Sequence, residues 1–549
     1  MNQKPAIPKD AAAIILIKNG KVLWAQRNPN IKFLGGWHAF PGGKLEAADC
    51  DIEVLNCADA EDLKKFIVCA VRELFEETGV LLVRNGEKLT KGQRASLHDD
   101  LISGRSGFAE ILADWNLRID AEDFLYAGFW TTPQFSPVRF KTRFFAAECP
   151  SKQEPYAAIS KLRDIEFITP ENVLERWANS EVLISPPVLI SLQELADSRF
   201  RIEDSGFRIQ DSGFRIENSG FRIENSGFRI EDSGFRIEDS GLRIEDSKKA
   251  FSILNLESSI LNLLRKSQKV DGDIDYIELN PHVVCFPLKT ETLPPATHTN
   301  CFIVGREKFI VIDAASKDEN EQRKLFELID SFIEKGFVCL EIIVSHLHPD
   351  HFGGETALQT HLFSKFNLKV PISAHKITAE SLRGEIEFQK FIADEEIINL
   401  SDETGVNFEL KAFHAPGHAR GHLCFYDEAK GFLLASDNIV GAGTVVIALP
   451  EGNMTDYLKT LKRMKNLPNL RFLCGSHGSA VFDAKGKIEE YIAHRLEREN
   501  QILEAFQTGA QTPAEIVERV YIGLKPELVK PAEKSVEAHL EKLKNDGQI

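Results

Sequence analysis

The sequence is short of positive charge: 66 Lys and Arg stand against 83 Asp and Glu, a formal charge of −17. No general basic surface exists to attract a phosphate backbone, so nucleic-acid binding would need a local patch. It lacks paired cysteines as well. Nine are scattered from Cys50 to Cys474 without a C-x-x-C pair, which reads as reduced, mostly buried thiols. Long apolar runs are missing too. The N-terminus has no basic region followed by a long apolar stretch, Ala11 to Ile17 is too short to span a bilayer, and no 18-residue apolar segment occurs elsewhere. These absences predict a cytoplasmic protein with no membrane partner. What remains is ample: at 43% hydrophobic and 27% charged, the composition suits a soluble globular protein, and 549 residues exceed what one core supports.

A heptapeptide tandem, F-R-I-E-D-S-G and close variants, starts at Phe200 and recurs until Leu242. Phe and Ile two apart suit a strand of about three residues, and the Asp/Asn-Ser-Gly turn breaks any helix. The tract reads as an expanded linker that divides the chain. The expected organisation is residues 1–198, a linker at 199–247, a second unit at 248–484 and a helical appendage at 485–549. In the first unit, strands Ala11 to Lys18 and Lys21 to Arg27 precede a helix from about Glu61 to Thr78, and Arg143 to Ala147 forms a later strand. In the second, strands Cys301 to Val304 and Phe309 to Ile312, a helix near Glu319 to Glu334 and a strand Leu340 to Val344 alternate. Helices are expected over Ile488 to Gln507, Pro513 to Val520 and Ala532 to Asn545.

Glu73 lies three and four residues before Glu76 and Glu77, so three carboxylates share one helical flank and can converge on hard cations. Arg72 can neutralise Glu76 from one turn away, and Gly79 ends the helix. The plainer alternative is a solvated acidic helix end. Arg72 to Val80 resembles the second half of the Nudix box, R-E-U-x-E-E-x-G-U, and Phe40-Pro41-Gly42-Gly43 resembles its opening. Asp49 stands at the place of the box's first glutamate, and 22 residues separate it from Arg72, where the minimal box has seven. Such inserts occur in members similar to coenzyme A diphosphatases. Arg27, Gly36 and Phe40 to Gly43 also match the spacing of the coenzyme A pyrophosphatase signature, with Asn28 in place of its Ser and Lys32 in place of its second Arg. Thr142 to Phe145 resembles a strand of that subgroup; the other reading is an apolar core strand. The resemblance implies an α/β/α sandwich using Mg2+ or Mn2+ held by Glu73, Glu76 and Glu77. Glu73 and Glu76 would be catalytic, and Arg27, Lys32 and Gly43 would bind a pyrophosphate substrate.

In the second unit, His346-Leu347-His348-Pro349-Asp350-His351 follows a strand and gathers three imidazoles and a carboxylate on one loop. His418, Asp437 and His477 follow in order, each placeable on a loop. The set resembles the five motifs of the metallo-β-lactamase superfamily, with Asp313 as the first. That resemblance implies an αββα sandwich with two Zn2+ or similar ions. His346, His348 and His418 would hold one, Asp350, His351 and His477 the other, and Asp437 would bridge. Two such cations prepare a shared water for attack, and Asp350 would shuttle its proton. His414 and His422 read as supporting groups. Ser436 stands where the superfamily usually has glycine, which serine tolerates if its backbone avoids positive φ. Residues from Ile488 onward resemble the winged-helix-like appendage of a hydrolase group that includes endoribonucleases, with the wing hairpin missing or minimal.

The sequence thus predicts a multidomain α/β protein with two hydrolase sites. One would act on a coenzyme A-like or nucleoside-diphosphate-linked pyrophosphate, the other on an ester, thioester or phosphodiester. The alternative makes the C-terminal half a single-strand RNA endonuclease, with the N-terminal half sensing or trimming nucleotides.

Overall fold

A computed structural model describes residues 6–196 and 275–549 apart from 32–33, 58–61, 137, 159–160, 402–407 and 442–443, with the backbone of a helix end and of short strands between them. The strand Lys9–Lys18 organises the first half. It pairs in parallel with Phe140–Glu148 and antiparallel with Lys21–Arg27 and Gly42–Lys44. Successive side chains point to opposite faces of a strand. Ala12, Ile14 and Leu16 therefore meet the helix Lys64–Thr78 through Phe66, Val71 and Leu74, whereas Ala13, Ile15 and Ile17 meet Trp24, Trp177, Leu189 and Leu192. Both faces are covered, as an α/β/α sandwich requires. Leu23 and Phe145 join the first layer and Phe144 the second, so Thr142 to Phe145 does form a core strand. Gly79 ends the long helix at φ 68.

Repeat units form short strands such as Phe207–Gln210 and Gly213–Asn218, paired antiparallel in sequence order. The second half stacks two sheets. One runs Ile277–Asn280, Val283–Lys289, His298–Gly305, Lys308–Ile312, Val338–Val344, Ile372–His375 and Lys390–Ile392. The other runs Ile397–Asn399, Glu409–His414, Leu423–Asp427, Phe432–Ser436 and Phe472–Gly475. Phe302, Ile310 and Ile343 of the first face Leu410, Phe425 and Leu434 of the second. Helices Glu319–Glu334 and Glu355–Phe366 cover one outer face through Leu325, Ile329, Leu358 and Leu362. Met454–Lys465 and the start of Ala484–Gln507 cover the other through Leu458, Leu461 and Ile488. This is the αββα order. Trp37 and Leu183 of the first half are buried in the inter-sheet cluster of the second, so the halves share apolar material.

The helix Ala484–Gln507 continues into a third cluster, where Ile502 and Ala505 meet Ile516, Val517, Val536 and Leu543 of Pro513–Val520 and Val529–Asn545. Among the described residues no strand follows Phe472–Gly475. The described cysteines are free, and all but Cys50 are buried. No helix of the described residues is long and apolar enough to cross a membrane.

Phe425 is 1% exposed between the two sheets. Phe425→Ala should destabilise the sandwich by about 3–5 kcal/mol, read as a shift of its urea-unfolding midpoint; a midpoint unchanged from wild type would contradict this packing.

Candidate active sites

In the first half, the buried Arg72 organises the acidic helix. Its Nε and Nη2 donate to the two carboxylate oxygens of Asp49 at 2.8 and 3.0 Å, and Nη1 donates to Glu73 at 2.9 Å and to Glu76 at 3.1 Å. Asp49 thus orients the arginine across the long insert. Gly42 N–H donates to Glu77 Oε2 at 3.1 Å, and Lys161 lies 3.8 Å from Glu73 Oε2. A side chain at Gly43 would put its Cβ 2.3 Å from Glu73 Cδ, so glycine here lets the carboxylate lie against the strand without being displaced. Glu73 Oε2 is buried without a hydrogen-bond partner, which fits an anionic oxygen reserved for a cation. Burial, then repulsion from Glu73, pushes the Glu77 carboxyl up to about 8. Arg27 is half-buried and close enough to Glu77 to feel its charge. Lys32 lies outside the described residues. The helix end is therefore no solvated charge patch: Glu73 and Glu77 are each 4% exposed.

In the second half, every candidate residue sits just past the C-terminal end of a strand. His346, His348, Asp350 and His351 follow Val338–Val344, His418 follows Glu409–His414, Asp437 follows Phe432–Ser436, and His477 follows Phe472–Gly475. The fold brings all seven together. One nitrogen each of His346, His348 and His418 lie within 4.8 Å of one another, and the same holds for ligand atoms of His346, His351 and Asp437 and of Asp350, His351 and His477. Asp437 is central: its Oδ2 lies 3.5 Å from His351 Nε2 and 3.7 Å from His418 Nε2, and its Oδ1 lies 3.4 Å from His477 Nε2.

The other ring nitrogens are occupied. His351 Nδ1 bonds Asp313 at 2.9 Å, His418 Nδ1 the Val446 carbonyl at 3.0 Å, and His477 Nδ1 the His298 carbonyl at 2.8 Å. A carbonyl only accepts, so in His418 and His477 the Nδ1 carries a proton, and Nε2 is the nitrogen that faces the cluster. His351 Nε2, His418 Nε2 and Asp437 Oδ1 are buried with no hydrogen-bond partner. Leaving such atoms unmatched is costly, and the donor set of imidazoles and carboxylates suits zinc-like ions; the residues fit the cations. With no cation among them, burial and neighbouring His348 bring His418 down to about 3. His477 is pushed down by burial, but Asp437 and Asp350 raise it to about 10.

His422 is fully buried beside the cluster and accepts the Asp437 backbone N–H at 3.2 Å. His414 stays outside, stacked on His375 with ring centroids 4.1 Å apart. Ser436 departs from expectation: its φ is 44, in the left-handed region that favours glycine. Its hydroxyl donates to Ser345 Oγ at 2.8 Å and accepts from Ser476 Oγ at 3.2 Å, which offsets the backbone strain. Sequence reasoning missed the carbonyls of His298 and Val446, since main-chain acceptors leave no residue-type signal. It missed Asn438 too, whose amide meets His422 Nδ1 at 2.8 Å.

Two buried clusters of carboxylates and imidazoles are thus placed where each could hold divalent cations. Comparison with known families agrees: residues 8–101 match the NUDIX domain, 294–477 the metallo-beta-lactamase superfamily, and 512–549 the beta-lactamase associated winged helix domain. The chain therefore carries a Nudix domain, a metallo-β-lactamase domain and a winged helix domain, and is a hydrolase. Both hydrolase families are typically divalent-metal dependent. The chain is 26% identical over 266 residues to lactamase-like protein adaB of Aspergillus niger, covering 46% of this chain and 76% of that one. It is 28% identical over 258 residues to the beta-lactamase-like protein 2 homolog of Drosophila melanogaster, covering 46% and 84%. It is 30% identical over 209 residues to an atrochrysone carboxyl ACP thioesterase of Claviceps purpurea, covering 37% and 59%.

The raised Glu77 carboxyl has a pH signature. The unfolded chain ionises near 4.5 and the folded one near 8, so this group's contribution to stability is present below about pH 4.5 and is lost as pH rises through 8. Metal-free Glu77→Gln should therefore match wild type at pH 4 and become the more stable protein by pH 8. Thermal melts with chelator check this, and parallel stability profiles would refute it.

Proposed function

We propose that the chain is a bifunctional hydrolase with one cation site in each half. The convergence of His346, His348, Asp350, His351, His418, Asp437 and His477 from four chain segments, with His351 Nε2, His418 Nε2 and Asp437 Oδ1 buried without a hydrogen-bond partner, carries this reading. The units are taken as residues 1–198, 199–247, 248–484 and 485–549.

In the Nudix half, Glu73, Glu76 and Glu77 would hold Mg2+ or Mn2+, which would offset the charge of the pyrophosphate of a coenzyme A-like or nucleoside-diphosphate-linked substrate. Glu76 is the most open of the three, its side chain 21% exposed, and stands where a water can be deprotonated. Arg27 and Lys32 offset phosphate charge, and Gly43 keeps the strand close to Glu73. In the metallo-β-lactamase half, His346, His348 and His418 would hold one divalent ion of the zinc type and Asp350, His351 and His477 the other, with Asp437 within reach of both. When bound, such cations lower the pKa of a shared water and offset charge on the attacked carbonyl. Asp350, at the partly open rim 3.5 Å from His477, takes the proton and returns it to the leaving group. Asp313 and the Val446 and His298 carbonyls fix the imidazoles. The substrate is a thioester or ester: the thioesterase name of the Claviceps purpurea relative supports it, although the chain spans 59% of that protein. An acyl-coenzyme A would suit both halves.

Purified full-length protein should contain divalent metal and cleave both a coenzyme A-type pyrophosphate and an acyl thioester. Glu76→Gln should cut the first activity by about 100-fold or more and spare the second, and Asp437→Ala should do the reverse. Cleavage of single-stranded RNA without thioesterase activity would replace the thioester assignment, and loss of both activities in either variant would refute separate sites.

A further inference from the structure

His477 is braced from two sides by the Nudix half. The first brace runs through His298, whose carbonyl accepts the His477 Nδ1 proton at 2.8 Å. The His298 ring is met edge-on by Phe135, with centroids 5.9 Å apart at 66°. Phe135 belongs to the connection between the Nudix strands Leu125–Thr131 and Phe140–Glu148, which is closed by Thr132 N–H to the Phe140 carbonyl at 2.9 Å and by Arg139 Nε to the Thr132 carbonyl at 2.8 Å. The second brace lies three residues past His477. Trp37 Nε1 donates to the Ala480 carbonyl at 3.0 Å, and the ring is 1% exposed. Beside it, Gly36 has φ 79 and abuts Phe482, whose Cβ would stand 2.5 Å from any Cβ at that position. The loop cannot drift, because Val481 and Leu473 exchange backbone hydrogen bonds at 2.8 and 3.1 Å. Trp37 is itself tied to the Nudix site, since its carbonyl accepts the Arg27 N–H at 2.8 Å.

We propose that Trp37 and Phe135 of the Nudix half are positioning residues for His477, so that the cation position formed by Asp350, His351 and His477 depends on the neighbouring domain. The inference rests on the two-cation reading of the cluster. Among the described residues the position formed by His346, His348 and His418 has no such support: His418 Nδ1 is fixed by Val446, within its own domain. Residues that orient a ligand without touching the ion commonly change metal affinity by about 10–100-fold, so the two positions should respond differently.

The test uses the full chain in a Glu73→Gln, Glu76→Gln background, which disables the acidic helix as a competing site. Protein stripped with chelator is titrated with Zn2+ alone, and affinities and stoichiometry are read by calorimetry and metal analysis. The parent should take up two equivalents. Trp37→Phe, which keeps a ring but loses the N–H, and Phe135→Ala should each weaken the second equivalent by about 10–100-fold and leave the first unchanged. Equal weakening of both, or two equivalents bound as in the parent, would overturn the positioning role while leaving the two-cation reading intact. A parent that binds fewer than two equivalents would sink that reading and this inference with it. Should Phe135→Ala fail to fold, Trp37→Phe alone decides the matter.

Discussion

One buried carboxylate, Asp313, sets the geometry on which the larger site depends. At φ 57 it turns back from the strand Lys308–Ile312. It accepts the Ser345 N–H and the Ser345 hydroxyl, each at 2.7 Å, and meets His351 Nδ1 at 2.9 Å. One side chain thereby fixes both ends of the loop that carries four of the seven clustered residues, His346, His348, Asp350 and His351. Arg72 plays the mirror role in the Nudix half, where a buried cation holds Asp49, Glu73 and Glu76 in place. Each cluster of like groups would otherwise repel itself apart in a medium of low dielectric constant. Each site keeps buried atoms without a hydrogen-bond partner, Glu73 Oε2 in one and His351 Nε2, His418 Nε2 and Asp437 Oδ1 in the other.

Much of this was legible in the residues. His346 to His351 are close in sequence because a strand end can present several side chains at once, and Glu73, Glu76 and Glu77 obey helical spacing. Alternation in the strand Lys9–Lys18 reveals two faces, although its continuous apolar run hides which residue belongs to which. The supports were harder to see. Main-chain carbonyls such as Val446 accept a proton irrespective of residue type, and Ser436 adopts a backbone that its identity argues against, rescued by two serines distant in sequence. Trp37 reads as an ordinary aromatic after two glycines, yet its burial is decided by a sheet more than 200 residues later.

That sharing of apolar material bears on how the two halves are held together. Domains joined only by a linker tumble independently, and the repeat tract between the halves suits such an arrangement. Trp37 and Leu183 argue otherwise, since withdrawing them would expose the gap between the two sheets to water. The Asn280 amide donates to Ser180 Oγ at 3.0 Å in the same border, and Lys430 reaches Asn179 at 3.1 Å. The contacts between the halves are therefore made by described residues outside the repeat tract.

The helix Ala484–Gln507 has a different implication. Its first turns are packed under the second sheet through Ile488 and Tyr491, and its last turns form the core of the C-terminal helices through Ile502 and Ala505. A rigid rod common to two hydrophobic interiors passes strain from one to the other, so the sandwich and its appendage should melt as one cooperative block. Divergence of the terminal helices is thereby bounded by the stability of the catalytic body to which they are mechanically bound.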